Sequence, residues 1–65
     1  MTIGIKIKQY RTDNEISQEQ FAELAGMTRA AVQAIETDRN ENPTLESLSA
    51  IAKAMGLTID ELVKE

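Results

Sequence analysis

The sequence contains no cysteine and no histidine. The first absence removes disulfide staples and thiolate ligands, and the second removes imidazole. Zinc-type metal centres and the commonest pairings of nucleophile with general base therefore have no residues to draw on. Neither an enzyme nor a metal or other cofactor is expected. Long apolar runs are missing as well: none approaches the roughly 20 residues of a membrane span. Met1-Thr2-Ile3-Gly4 also lacks the charged region followed by an apolar stretch that opens a signal peptide. The expectation is a cytoplasmic chain with no membrane contact.

Positive charge is in short supply. Seven Lys and Arg against eleven Asp and Glu leave a net charge of −4, whereas a nucleic-acid binder is usually basic. The distribution moderates that objection. Lys6, Lys8, Arg11, Arg29 and Arg39 lie in the first forty residues, while Glu41, Glu46, Asp60, Glu61 and Glu65 weight the last third negative. A basic face and an acidic face can coexist on one small fold. With 65 residues the chain makes one domain, 1–65. So short a domain buries only about 60% of the surface its unfolded form exposes, so every large apolar side chain must count.

Apolar residues recur at three- and four-residue steps without sustained alternation, which specifies an all-α fold. Ile3, Ile7 and Tyr10 share one face of a first helix, and the polar run 11–15 is expected to fade into a connector closed by Ile16. Ser17-Gln18-Glu19-Gln20 is a capping-box pattern that starts a second helix, with Phe21, Leu24 and Ala25 as its buried stripe and Gly26 as its left-handed stop. Thr28 caps a third helix, 28–36, whose inward residues are Val32 and Ile35. The polar stretch 37–43 ends in the only proline, Pro43, and reads as a loop. Thr44 then caps a fourth helix in which Leu45, Leu48, Ile51, Ala52 and Met55 keep helical spacing. Gly56-Leu57 closes it, and Thr58-Ile59-Asp60-Glu61 is a second capping box opening a short fifth helix with Leu62 and Val63. Met27 and Met55 read as core fillers and Glu19 and Glu23 as a solvated helix face.

The segment 18–36 is the informative one. A small residue, Ala22, faces the following helix, a glycine occupies the turn of about three residues, and Val32 and Ile35 anchor the next helix while leaving its opposite face free. Taken alone, these features also suit a plain helical hairpin. The agreement runs much further, through Ile7-Lys8-Gln9-Tyr10-Arg11, Ile16-Ser17-Gln18-Glu19-Gln20-Phe21-Ala22-Glu23-Leu24-Ala25-Gly26, Thr28-Arg29-Ala30-Ala31-Val32, Ile35-Glu36, Asn42-Pro43-Thr44-Leu45-Glu46-Ser47-Leu48 and Ile51-Ala52-Lys53-Ala54-Met55-Gly56. On these stretches the chain resembles the Cro/cI-type (XRE, lambda-repressor-like) helix-turn-helix family over essentially its whole length. The resemblance implies a compact five-helix fold in which helices 2 and 3 form the helix-turn-helix and the third helix reads the major groove.

The resemblance also implies roles for individual residues. Gln18 falls where the family binds a DNA phosphate, although by its position alone it reads equally as a capping-box residue. Thr28, Arg29 and Ala30 fall on the exposed start of the recognition helix, with Gln33 on that face or at its flank. Arg29 suits a bidentate pair with guanine and Gln33 a pair with adenine or a phosphate contact. Outside the family pattern, Arg29 would read as a solvated surface residue. Arg39, Asn42 and Thr44 fall where the backbone is gripped on the far side of the groove, which positions without reading sequence. Arg11 and Glu36 match a structural salt bridge between the first and third helices. Ala30 and Ala34 replace the polar or basic base-readers of many relatives, leaving methyl contacts to thymine or shape readout. Asp38 stands where glycine is frequent, and with Glu41 it adds negative charge near the expected phosphates.

Two functions follow. The first is a sequence-specific transcriptional regulator, a repressor that binds a pseudo-palindromic operator in double-stranded DNA as a homodimer paired through the C-terminal helix, near Leu57, Ile59 or Val63. These residues leave no room for an effector domain, so control is expected from abundance, a protein partner or proteolysis. The alternative is a protein-interaction module or antitoxin that keeps the fold but binds DNA weakly. A positive face at Lys8, Arg11, Arg29 and Arg39 favours the first; acidic dominance there favours the second.

Overall fold

The computed structural model describes residues 3–37, 39 and 43–64. They form α1 (Ile3–Asn14), α2 (Gln18–Ala25), α3 (Arg29–Glu36), α4 (Leu45–Met55) and α5 (Ile59–Val63), the all-α class that the apolar spacing specifies. Each helix sends one large side chain to full burial: Ile7, Phe21, Val32, Ile51 and Leu62, all members of one core cluster. At 12 residues or fewer, none of these helices would be stable in water by itself. The shared core is what makes them helical. Tyr10 meets Phe21 edge-to-face, with ring centroids 5.9 Å apart, and its hydroxyl donates to the Ala54 carbonyl at 3.4 Å, which joins α1 to both α2 and α4. The principal packing contacts run α1 to α3, α3 to α2, α2 to α4, α4 to α5, and α5 back to α1, a closed ring.

Local chemistry sets the helix ends. Ser17 Oγ accepts from the Gln20 N–H at 3.1 Å while Gln20 Oε1 accepts from the Ser17 N–H at 2.8 Å; Thr58 and Glu61 repeat the exchange at 3.1 and 2.9 Å. Both capping boxes are present where the sequence indicates them. Thr28 and Thr44 each accept from the N–H three residues on, at 3.1 Å. Gly26 (φ 66°) and Gly56 (φ 71°) take the left-handed conformation, so that Met27 donates back to Ala22 and Leu57 to Ala52, both at 2.8 Å. These bonds satisfy carbonyls that the helix ends would otherwise leave open.

Three expectations need correction. The run 11–14 belongs to α1 and is no connector. Its polar side chains bond back into the helix, Thr12 Oγ1 to the Lys8 carbonyl at 2.9 Å and Asn14 Nδ2 to the Tyr10 carbonyl at 2.8 Å. The turn is made by Glu15 at φ 55°, with Ile16 donating to the Arg11 carbonyl at 3.0 Å, the same closing geometry without a glycine. Leu24 is not in the buried stripe: it is 60% exposed, and Ala22 is buried in its place. The buried positions 21, 22 and 25 centre on a direction from which position 24 lies roughly 105° around at 3.6 residues per turn. Leu45, at the first position of α4, is 70% exposed, so the inward face of that helix begins a turn later, at Leu48.

Glu15→Gly relieves a left-handed non-glycine residue and is expected to raise stability by about 0.5–1 kcal/mol, as measured by urea unfolding. In the same assay Leu24→Gln shifts stability by less than about 0.5 kcal/mol, whereas Phe21→Ala costs about 3–5 kcal/mol.

Candidate nucleic-acid interface

Burial divides α3 into two faces. Val32 and Ile35 are buried, Ala31 and Ala34 are half-buried, and Arg29, Ala30, Gln33 and Thr37 are exposed together with the cap residue Thr28. Steps of three and four residues place 30, 33 and 37 along one outward strip, with 29 beside 33. A guanidinium, an amide and two hydroxyls thus lie along a surface whose remaining side chain, Ala30, is a methyl group. Such a strip can donate to and accept from base edges and leaves room for close approach. Thr37 belongs to it although the sequence pattern pointed only as far as Glu36; its hydroxyl donates to the Gln33 carbonyl at 2.8 Å. Ala34 is half-buried at the flank of this strip.

Beside this strip lies an open notch lined by Arg11, Ser17, Gln18, Glu19 and Arg29. It brings the start of α2, with its free N–H groups and partial positive charge, next to the first residue of α3. At its base Arg11 forms a bidentate pair with Glu36: Nε to Oε2 at 2.7 Å and Nη2 to Oε1 at 2.8 Å. Arg11 Nη1 also reaches the Ile16 carbonyl at 3.3 Å. The two side chains are 16% and 4% exposed. The hydrogen bond to Glu36 holds the Arg11 guanidinium above its ordinary pKa, and the carboxylate's charge adds to that, against the lowering effect of burial. Gln18 is half-buried and its amide donates to Glu36 Oε1 at 3.4 Å, so one carboxylate oxygen links α1, α2 and α3. Gln18 has a second amide N–H with which to face the notch.

The remaining candidates are spread more widely. Thr44 is the exposed cap of α4, its hydroxyl accepting from the Ser47 N–H and bonding the Ser47 hydroxyl at 3.1 Å. Arg39 is exposed, its backbone N–H donating to the Ala34 carbonyl at 2.9 Å. Asn42, with Asp38 and Glu41, lies outside the described residues. The basic residues of the first forty do not form one face. Lys6 turns to the end of α5, donating to the Leu62 carbonyl at 2.6 Å and the Glu61 carbonyl at 3.4 Å, and also to the Lys64 carbonyl. Lys8 is exposed along α1 with Ile5, Gln9, Thr12 and Asp13, apart from the notch. The sequence marks Ser17 as a cap and Glu19 as part of a solvated face; their place in the notch follows from the way Arg11 of α1 and Arg29 of α3 flank the start of α2.

Removing one member of the Arg11 and Glu36 pair leaves the other charge largely buried. Arg11→Met is therefore expected to cost about 3 kcal/mol in chemical denaturation, with Glu36→Gln costing less because Arg11 keeps access to water. Since the Arg11 pKa is raised on folding, its contribution is fully present below the ordinary guanidinium range and is lost only as pH rises through the folded value. The penalty of Arg11→Met should accordingly stay flat from pH 6 to about 9.

Comparison with known proteins agrees with this geometry. The helix-turn-helix family profile matches residues 7–62. The chain is 40% identical, over all 65 of its residues, to the immunity repressor protein of Bacillus phage phi105, of which it covers 44%. It is 38% identical over 63 residues to the transcriptional activator BcrR of Enterococcus faecalis, of which it covers 30%. The chain thus spans less than half the length of both relatives. A crystal structure of the biofilm master regulator SinR in complex with DNA superimposes with a TM-score of 0.85 at 28% identity, covering 97% of this chain and 100% of that one. These relatives are named for regulation, not for catalysis. Since that profile matches nearly the whole of this five-helix chain, residues 7–62, the chain belongs to the Cro/cI-type helix-turn-helix family.

Proposed function

We propose that residues 1–65 act as one DNA-binding domain of a transcriptional regulator, with α3 in the major groove of double-stranded DNA. The observation that carries this reading is the juxtaposition of the outward strip of α3 with the notch at the start of α2. The strip holds the groups that discriminate bases, and the notch holds those that receive a phosphate. In this arrangement Arg29 pairs with guanine and Gln33 with adenine, Thr28 and Ala30 fit against the base edges, and Gln18 donates to the flanking phosphate. Arg39, Asn42 and Thr44 hold the backbone across the groove. The likeness to SinR, solved in complex with DNA, supports the same docking, and the 40% identity to a phage repressor supports repression.

Two copies read a pseudo-palindromic operator with half-sites about 34 Å apart. Pairing through α5 fits its surface: Val63 is 48% exposed and Leu57 and Ile59 are half-buried beside it. A second reading, a protein-interaction module with weak DNA affinity, draws on one specific observation. The Arg11 charge is spent on Glu36, and Glu19 lines the notch opposite Arg29, so little net positive charge remains there.

A salt titration of binding to random-sequence duplex separates the two. If each protomer neutralises about three phosphates, affinity falls about 40-fold between roughly 50 and 200 mM salt. The double variant Gln18→Ala/Arg29→Ala binds at least tenfold more weakly with a shallower salt slope. A wild-type chain that binds no duplex even at low salt eliminates the DNA reading and favours the protein partner.

A further inference from the structure

Gly4 is the second residue of α1 and is buried. A methyl group built on it would lie 2.4 Å from the Ile35 carbonyl oxygen, 2.9 Å from Glu36 Cα and 3.2 Å from the Glu36 carbonyl oxygen. Ordinary carbon-to-oxygen contacts are about 3.3 Å or longer, so the first distance is well inside contact. All three atoms are backbone, so no side-chain rotation can relieve the clash. The last turn of α3 therefore rests directly on the α1 backbone, at a place where any side chain would push it away. Seven residues further along α1, Arg11 grips the Glu36 carboxylate from the same helix. One contact limits how close the two helices come, and the other stops them separating.

We infer that Gly4 is a positioning residue for base reading: the absence of a side chain there sets where the C-terminal half of α3 lies, and with it Gln33 and Thr37 on the outward strip. The inference rests on the proposal that α3 reads DNA. Gly4 itself touches no DNA in that arrangement. A displaced α3 end alters the reach of Gln33 and Thr37 to the bases and loosens the 3.4 Å contact of Gln18 with Glu36, while the backbone at the start of α2, whose free N–H groups face the phosphate, is held by its own Ser17–Gln20 capping box and stays in place. Discrimination between sequences and general affinity for duplex should therefore separate.

The test compares wild type, Gly4→Ala and the exposed α1 control Gln9→Ala. Each is assayed at one salt concentration on a duplex selected by the wild-type chain and on random-sequence duplex, with backbone amide NMR shifts recorded for α2 and α3. In Gly4→Ala the ratio of selected to random affinity is expected to fall about tenfold, the size of one well-placed side-chain-to-base pair. Random-duplex affinity changes less than about twofold. The amides from Gln33 to Thr37 move while those of α2 and of the control do not. Unchanged discrimination with unmoved α3 amides overturns the inference, as does an equal loss on both duplexes. A Gly4→Ala chain that retains no helical circular dichroism at 5 °C also overturns it, because Gly4 is then a condition of folding as a whole. If wild type binds neither duplex, the DNA reading itself has failed, whichever way the amides move.

Discussion

None of the five described helices is long enough to persist alone, and that constraint governs everything else. The five fully buried side chains, one per helix, are the smallest set that can hold five short segments in one body. Because the core is so small, its members must come from helices that cross closely. Positions with little or no side chain, the buried Ala22 of α2 and Gly4 against the backbone of α3, make room for such close packing. The surface proposed to read DNA is what remains of α3 once Val32 and Ile35 are committed inward.

Glu36 shows how a polar group can serve that economy. Its carboxylate is almost completely covered, and both oxygens are engaged by Arg11, with Gln18 as a third contact. Apolar packing has little directional preference, whereas a bidentate guanidinium pair has a single good geometry. The pair thus fixes the register of α1 against α3, and the amide of Gln18 ties the start of α2 to the same point. The start of α2 and the proposed recognition helix α3 are referred to a common carboxylate.

Much of this was legible in the sequence because it is local. The capping boxes at Ser17 and Thr58, the left-handed glycines at 26 and 56 and the inward pairs on α3 depend on neighbours within five residues, and each is where the pattern indicates. What escaped depends on partners far along the chain. Leu24 has acceptable helical spacing, but the face of α2 that packs inward is the one carrying 21, 22 and 25. Glu15 turns the chain without a glycine, its N–H and that of Ile16 donating back to the Thr12 and Arg11 carbonyls. Lys6 reads as part of a basic face but sits against the end of α5, 56 residues away at Leu62. The close approach of Gly4 to Ile35 and Glu36 has no sequence signature at all, since a glycine in a first turn reads only as a weak helix former. Among the candidate residues, which of those on α3 face outward follows from one helix's periodicity; the notch requires three helices to be placed together.

The ring of contacts that α5 closes against α1 has one more implication. In a linear stack of helices the end segments are held on one side only, and they detach first. Here the first and last helices are mutual neighbours, joined by an ammonium group at the carbonyl end of α5, so the stack has no terminal member. Local opening then has nowhere inexpensive to begin, and protection against hydrogen exchange should rise and fall nearly together in all five segments. Because α1 and the end of α5 are direct neighbours, the order in which the helices follow one another matters less to this fold than the circle in which they sit.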